Sequence, residues 1–241
     1  MSPLLVWVFL CIVSFLPPLF YVIWIRNTEH CHRQSWGSIL LCFLWGASIA
    51  VIAALILELI LGVSLSLTLQ NENTLSFVTV IFLAPVVEEF TKPFALRLRS
   101  VRRGISELED GLIYGAVAGL GFSATENLFY GRGFLSEGFF VFVVLMILRS
   151  IGGCLLHASA TALTGYGYGK TLLLHTSFLR IIPYFVLAIG VHSLYNFFVT
   201  FEFFGSVTFG TATGVFLAFF FVLFTISLIR KKIISLDKQN C

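Results

Sequence analysis

Charge is scarce in this chain. Asp, Glu, Lys and Arg together make up 11% of it, while hydrophobic residues make up 58%. An ordinary soluble domain carries about 25% charged residues, so a separate soluble domain is excluded and a polytopic membrane protein remains. The net charge of +3 points to no nucleic-acid partner. Cysteine pairing is lacking as well. Of the five cysteines, Cys11, Cys42 and Cys154 fall in apolar runs, Cys31 in a loop and Cys241 at the tail, with no C-x-x-C. No disulfide framework is expected, because disulfides are rare in the cytosol and within the membrane. His30-Cys31-His32 sets three ligand types side by side, which makes a poor tetrahedral set and reads as a solvated loop. There is no H-E-x-x-H, no G-x-S-G and no G-x-G-D, so the usual zinc-helix, serine and aspartyl signatures are missing. Cys154 precedes His157 by one turn, but no group to activate its thiolate is in sight. Low-complexity segments, solenoid repeats and inverted repeats are absent too. The missing inverted repeat weighs against a transporter.

What the chain does have is apolar length. A bilayer takes about 20 apolar residues per helix. Seven segments qualify: Leu4–Ile25, Ser38–Val63, Phe77–Leu96, Leu112–Gly131, Phe139–Tyr166, Ile181–Phe201 and Thr208–Ile229. The expectation is an all-α, integral-membrane domain over residues 1–241, with a motif-bearing core at 77–201. The first segment has no basic n-region and no small-residue cleavage site, so it reads as a retained helix kinked at Pro17-Pro18. Basic residues set the orientation. They crowd the connections after the first, third and fifth segments (Arg26, Arg33; Arg97–Arg103; Lys170, Arg180) and the tail from Arg230 to Lys238, against Arg132 alone on the other side. That places the N-terminus outside and the C-terminus in the cytoplasm. The Phe excess reads as lipid-facing bulk.

The informative residues are the polar ones inside these segments. A charge near the bilayer centre costs at least ~2.5–3.5 kcal/mol, so each needs a reason to be there. Glu88 and Glu89 precede Lys92 by four and three residues, a spacing that puts all three on neighbouring helix positions. Lys92 can neutralise one carboxylate and leave the other to titrate, since two close carboxylates in a low dielectric do not ionise alike. That suits a general acid or base; a structural ion pair is the bland alternative. Glu126 and Asn127 end a glycine-rich stretch in which Gly111, Gly115 and Gly119 let another backbone approach closely. His157 and His192 lie on separate segments, and Asn196 shares a face with His192. Arg149, eight residues before His157 and on a broadly similar face, is expected to serve as a counter-ion for one of the glutamates. Glu58 and Glu202 fall near expected outer ends and read as interfacial. Glu88, Glu89, Glu126, His157, His192 and Asn196 are expected to converge on one buried cavity. Depth is the difficulty. Counting ~1.5 Å per residue from the loops sets Glu126 near the outer face and His157 nearer the inner, unless kinks at Gly121 or Gly152-Gly153 close the gap.

Four stretches in order carry a resemblance: E-E-x-x-K at Glu88–Lys92, D-G-x-x-Y-G-x-x-x-G-x-G-F-x-x-x-E-N at Asp110–Asn127, H-A-x-x-T-A-x-x-G-Y-G at His157–Gly167, and H-x-x-x-N at His192–Asn196. The chain resembles the PrsW family of intramembrane proteases over Pro85–Phe198. It is more distantly similar to the CAAX prenyl protease group, whose F-x-x-x-H stands where this chain has Phe122 and Glu126. The resemblance implies hydrolysis of a peptide bond in a membrane-anchored protein, such as an anti-sigma factor cut on the outer side of a prokaryotic cell membrane. It implies Glu88 as general base, with Glu89 and Glu126 shaping its charge and Lys92 balancing it. His192 and Asn196 would be oxyanion donors, and His157 a water-orienting residue or acid. A metal-independent glutamate mechanism is the favoured expectation. Zinc held by His157, His192 and one of Glu88, Glu89 or Glu126 is the competitor. A proton- or cation-coupled transporter is the reading from another class.

Overall fold

The computed structural model describes residues 2–200 and 207–241; Glu202 lies outside them. Its described residues form helices and connections with no strand. In the order of the chain, the helices are α1 (Pro3–Arg26), α2 (Trp36–Ser66), α3 (Glu72–Arg97), the short α4 (Arg99–Arg103), α5 (Leu108–Phe134), α6 (Phe139–Leu173), α7 (Phe178–Val199) and α8 (Val207–Asn240). Side-chain caps start several of them. Ser2, Ser35 and Asn71 accept from the backbone N–H three residues on, satisfying donors that the first turn leaves free. Asp110 does more. Its carboxylate takes the backbone N–H of Ser106 at 2.7 Å and of Glu107 at 2.8 Å, and its other oxygen accepts from the Gln34 side-chain amide Nε2, so it closes the turn that aims α5 into the bundle.

Six of these helices are long and apolar enough to cross a membrane: α1, α2, α3, α6, α7 and α8. The seventh expected span is α5, 27 residues long but too polar to pass on composition. The reason is its place. Every residue from Glu109 to Ala124 is buried, so α5 meets other helices where its neighbours meet lipid. Its glycines permit this. A Cβ at Gly111, Gly115 or Gly119 would strike the backbone of Gly165, Thr161 or His157 on α6, and one at Gly121 would strike Phe43 on α2. Backbones of α5 and α6 therefore touch, running antiparallel. Large apolar side chains such as Phe20, Leu59, Phe140 and Phe220 point outward, where a bilayer would cover them.

Three of the long helices carry a π-helical turn: Gly46–Ala50 in α2, Thr79–Leu83 in α3 and Arg149–Gly153 in α6. Such turns release one ladder hydrogen bond and often sit at functional sites. Helix α1 runs on through Pro17 and Pro18 without interruption. Two expected spans end later than their apolar runs: α6 continues to Leu173 and α8 to Asn240. The longer α8 brings Cys241 to Cys31, and the two form a disulfide with Cα atoms 5.9 Å apart. This corrects the expectation of unpaired cysteines. A separation of 210 residues gives no spacing signal; only the docking of α8 against the α1–α2 connection makes the pair. The His30-Cys31-His32 loop is fastened at the same point, because Asp237 accepts from His30 N at 3.0 Å and Cys31 N at 3.1 Å. Beside it Glu29 is fully buried. Burial pushes its carboxyl up to about 8, and the nearby Asp110, Asp237 and Glu109 push the same way.

Candidate active site and metal cradle

Just beyond the π turn of α3, the helix presents Glu88 and Glu89, then tightens to a 3-10 turn at Lys92 ahead of Pro93. Pro93 has no N–H to continue the α pattern. The Lys92 ammonium lies at the centre of the cluster. It donates to Glu88 Oε2 at 2.9 Å, to Glu89 Oε1 at 2.9 Å and to His157 Nδ1 at 2.8 Å, and it stands 4.3 Å over the Phe122 ring. Lys92 and Glu89 are fully buried. Glu89 also accepts from Thr161 Oγ1 at 2.9 Å. An ammonium held by two carboxylates inside the bundle meets the requirement that a buried charge be paired and hydrogen-bonded.

The two histidines are oriented from behind. His157 Nδ1 accepts from an ammonium, so its proton is on Nε2, which donates to Glu126 Oε2 at 2.7 Å. His192 Nδ1 faces Glu89 Oε1 at 2.9 Å and carries the proton there, leaving Nε2 with a lone pair. Those two lone-pair nitrogens lie 3.7 Å and 3.9 Å from Glu88 Oε2. The rings meet edge to face with centroids 5.0 Å apart. Each histidine thus turns one nitrogen to Glu88 and is anchored through the other by a carboxylate.

Glu126 is fixed by more than His157. Arg149, from the π turn of α6, reaches its Oε2 at 2.8 Å, donates from Nε to Asn127 Oδ1 at 2.8 Å and lies 3.9 Å over the Tyr130 ring. The depth conflict raised by the sequence is resolved by side-chain direction. The backbone of His157 lies level with Gly119, about two turns of α5 from Glu126, or roughly 10 Å. Helical side chains lean toward their own N-terminus. Because α5 and α6 are antiparallel, Glu126 and His157 lean toward each other. Gly121 marks close packing on α2 rather than a kink, whereas Gly152-Gly153 do sit in a π turn.

A cavity of about 550 Å³ opens on this cluster, lined by Glu88, Glu126, Arg149, His157, His192 and Asn196 among others. Glu89 does not line it and stands behind His192. Asn196 is on the wall, but its amide donates to the Val80 carbonyl in the π turn of α3 at 2.9 Å, so it is not a free oxyanion donor in this conformation. Glu58, read from the sequence as interfacial, is half-buried and lines the same cavity. Two partners went unrecognised in the sequence. Thr161 is one turn after His157, a signal that was readable; Tyr130 gave none beyond its helical phase.

The arrangement fits a divalent metal. One donor atom each from Glu88, His157 and His192 lie within 4.8 Å of one another. Nitrogen and carboxylate donors in a two-His, one-Glu set suit zinc, and a carboxylate behind each metal-facing histidine is the usual support. The pocket already draws a cation, the Lys92 ammonium, to His157 Nδ1 and Glu88 Oε2. Comparison with known proteins agrees with this reading. Searches of curated proteins and of solved structures returned no match. A family model described as PrsW family intramembrane metalloprotease matches residues 34–227. That span covers most of the chain and every helix that contributes to the cluster, and the chain belongs to the PrsW family of intramembrane metalloproteases.

Proposed function

We propose that this multi-pass membrane protein hydrolyses a peptide bond of a membrane-anchored protein with the help of zinc held by Glu88, His157 and His192. The observation that carries the reading is the pair of histidines, each backed by a carboxylate at 2.7–2.9 Å and each turning its other nitrogen to Glu88. This sets metal-assisted hydrolysis above the metal-independent mechanism favoured from the sequence. Zinc in such a site acts as a Lewis acid on the carbonyl and lowers the pKa of water.

The chain's own groups do the rest. With a metal held at His157 Nδ1, the Lys92 ammonium would keep its bonds to Glu88 and Glu89, so the added positive charge would meet two carboxylates. Glu89 and Glu126 hold the imidazoles in one tautomer each. Glu126, at the cavity wall, takes the proton from water and returns it to the leaving amine. The Arg149 guanidinium, beside it, stabilises the negative charge that grows on the carbonyl oxygen. Asn196 acts as a positioning residue by pinning the α3 turn that precedes Glu88. Helix and lipid exclude bulk water from the cluster, which strengthens each of these interactions. The anti-sigma class of substrate and the prokaryotic cell membrane follow from the family resemblance and belong to this proposal.

The test is cleavage of a single-span reporter by purified protein, paired with metal analysis. Wild type should bind about one zinc and lose cleavage in chelator. Glu88→Gln, His157→Ala and His192→Ala should lose both metal and cleavage. Glu126→Gln should keep the metal and lose cleavage. Chelator-resistant cleavage that Glu88→Gln abolishes would return Glu88 to the role of metal-free base. Ion flux in proteoliposomes without any cleavage would favour the transporter.

A further inference from the structure

Glu58 has no evident purpose in the chemistry above. It stands on α2 one or two turns beyond Val51, Ala54 and Leu55, which line the same cavity wall. Those neighbours are apolar, so the carboxylate is the polar feature of that wall. The other ionisable groups at the cavity are committed: Glu88 to Lys92, Glu126 to His157 and Arg149, and His192 to Glu89. Glu58 makes no hydrogen bond or ion pair among the described residues. The charges that act on it most are the carboxylates of Glu88 and Glu126 and the Lys92 ammonium.

A carboxylate within a membrane span is costly unless a cation meets it. Arg149 is the one Lys or Arg among the residues that line the cavity. Of the chain's 15 Lys and Arg residues, Lys92, Arg132 and Arg149 lie away from the basic face. Lys92 and Arg149 are engaged in the cluster, and Arg132 lies over the Trp7 ring. The segment 201–211 contains no Lys or Arg. Any cation that meets Glu58 therefore comes from outside the chain, through the cavity that Glu58 lines.

We propose that Glu58 is a specificity residue that receives a cationic side chain, lysine or arginine, of the substrate segment in the cavity. The inference rests on the proteolytic reading for its substrate, but not on the metal. Membrane-anchored proteins carry few basic residues on the outer side, so a single lysine or arginine near the cut would mark a small subset of them.

The experiment uses single-span reporters that differ at one position, Lys or Gln, scanned from six residues before to six residues after the cut. At one position wild type should prefer Lys by about tenfold or more in kcat/KM, the value of a charged hydrogen bond. In Glu58→Gln the ratio should fall to about one, and Glu58→Asp should keep part of it. Glu58→Lys should favour a reporter with Glu at that position. A ratio near one throughout in wild type, or a preference retained by Glu58→Gln, overturns the proposal. Equilibrium binding of the matched Lys and Gln peptides to chelator-treated protein separates the two claims. A Lys preference in binding that depends on Glu58, with no reporter ever cut, keeps this inference and sinks the protease reading.

Discussion

Replacing Lys92 with Met keeps the length of the side chain and removes its charge. The structure sets the size of the effect. Three contacts of 2.8–2.9 Å are lost at once, to Glu88, Glu89 and His157, at a position with no solvent exposure. Breaking a buried ion pair from one side costs about 3–5 kcal/mol, because the remaining charge is left unpaired. In chelator, Lys92→Met should therefore unfold with about that loss of stability. Zinc should change the result. It brings positive charge to Glu88 and meets a His157 Nδ1 that no longer faces an ammonium. Ligand at a hundred times its Kd stabilises by ~2.7 kcal/mol through mass action alone, so zinc should recover at least half of the loss. Wild type should gain less, since its ammonium competes with the metal for His157. The assay is thermal unfolding in detergent, followed by labelling of the buried thiols of Cys42 and Cys154 with a maleimide dye. A gap between variant and wild type that is the same with and without zinc would refute the cradle. No gap in chelator would refute the account of Lys92 as counter-ion.

Three further outcomes are expected. Gly119→Ala places a methyl against the His157 carbonyl; overpacking of this kind costs about 1–3 kcal/mol, and cleavage should fall further than stability because Glu126 and His157 are driven apart. Glu29→Gln tests the buried acid near the disulfide. Its carboxyl is raised to about 8 in the folded protein, so the fold holds a proton that the unfolded chain releases near the ordinary carboxylate range, and wild-type stability should decline as pH rises from about 4.5 to 8. The variant should show a flatter pH dependence of its melting temperature over that window and little change below it; a wild-type profile that is already flat would contradict the burial argument. For topology, Asn73→Cys should be labelled by an impermeant maleimide from outside intact cells and Ser100→Cys only after permeabilisation, and the reverse pattern would invert the orientation.

The hydrophobic runs and basic loops made the all-helical membrane fold readable, and the i, i+3 and i+4 spacing of Glu88, Glu89 and Lys92 made their mutual contacts readable too. The sequence could also nominate Glu126, His157 and His192, because ionisable groups in apolar runs need partners. It could not pair them. Depth counted from loops follows the backbone, and the meeting of Glu126 with His157 depends on side chains that lean in opposite directions on antiparallel helices. Asn196, read from the sequence as an oxyanion donor, stands on the cavity wall, yet its partner is a backbone carbonyl at Val80, exposed by a π turn that no residue pattern announced. Glu58 was assigned to the interface from its distance to the end of a span. Its helical phase, which decides whether it faces lipid or cavity, depends on how α2 is rotated against α3 and α5. The Cys31–Cys241 pair was hidden for a similar reason, since α8 extends as a helix well past its apolar run.

The direct backbone contact between α5 and α6 has a consequence for how this chain can vary in length. Glu126 follows Gly119 by seven residues, about two turns, and so emerges on the same stripe that touches His157. One inserted residue between them would rotate Glu126 by about 100° and carry it away from the histidine. The same holds for the eight-residue step from Arg149 to His157. Insertions and deletions are therefore excluded from these intervals and admissible in the connections at 67–71, 135–138 and 174–177. Chains that share this site should differ in length at those connections and keep the two intervals constant, a pattern that sequence comparison alone can check.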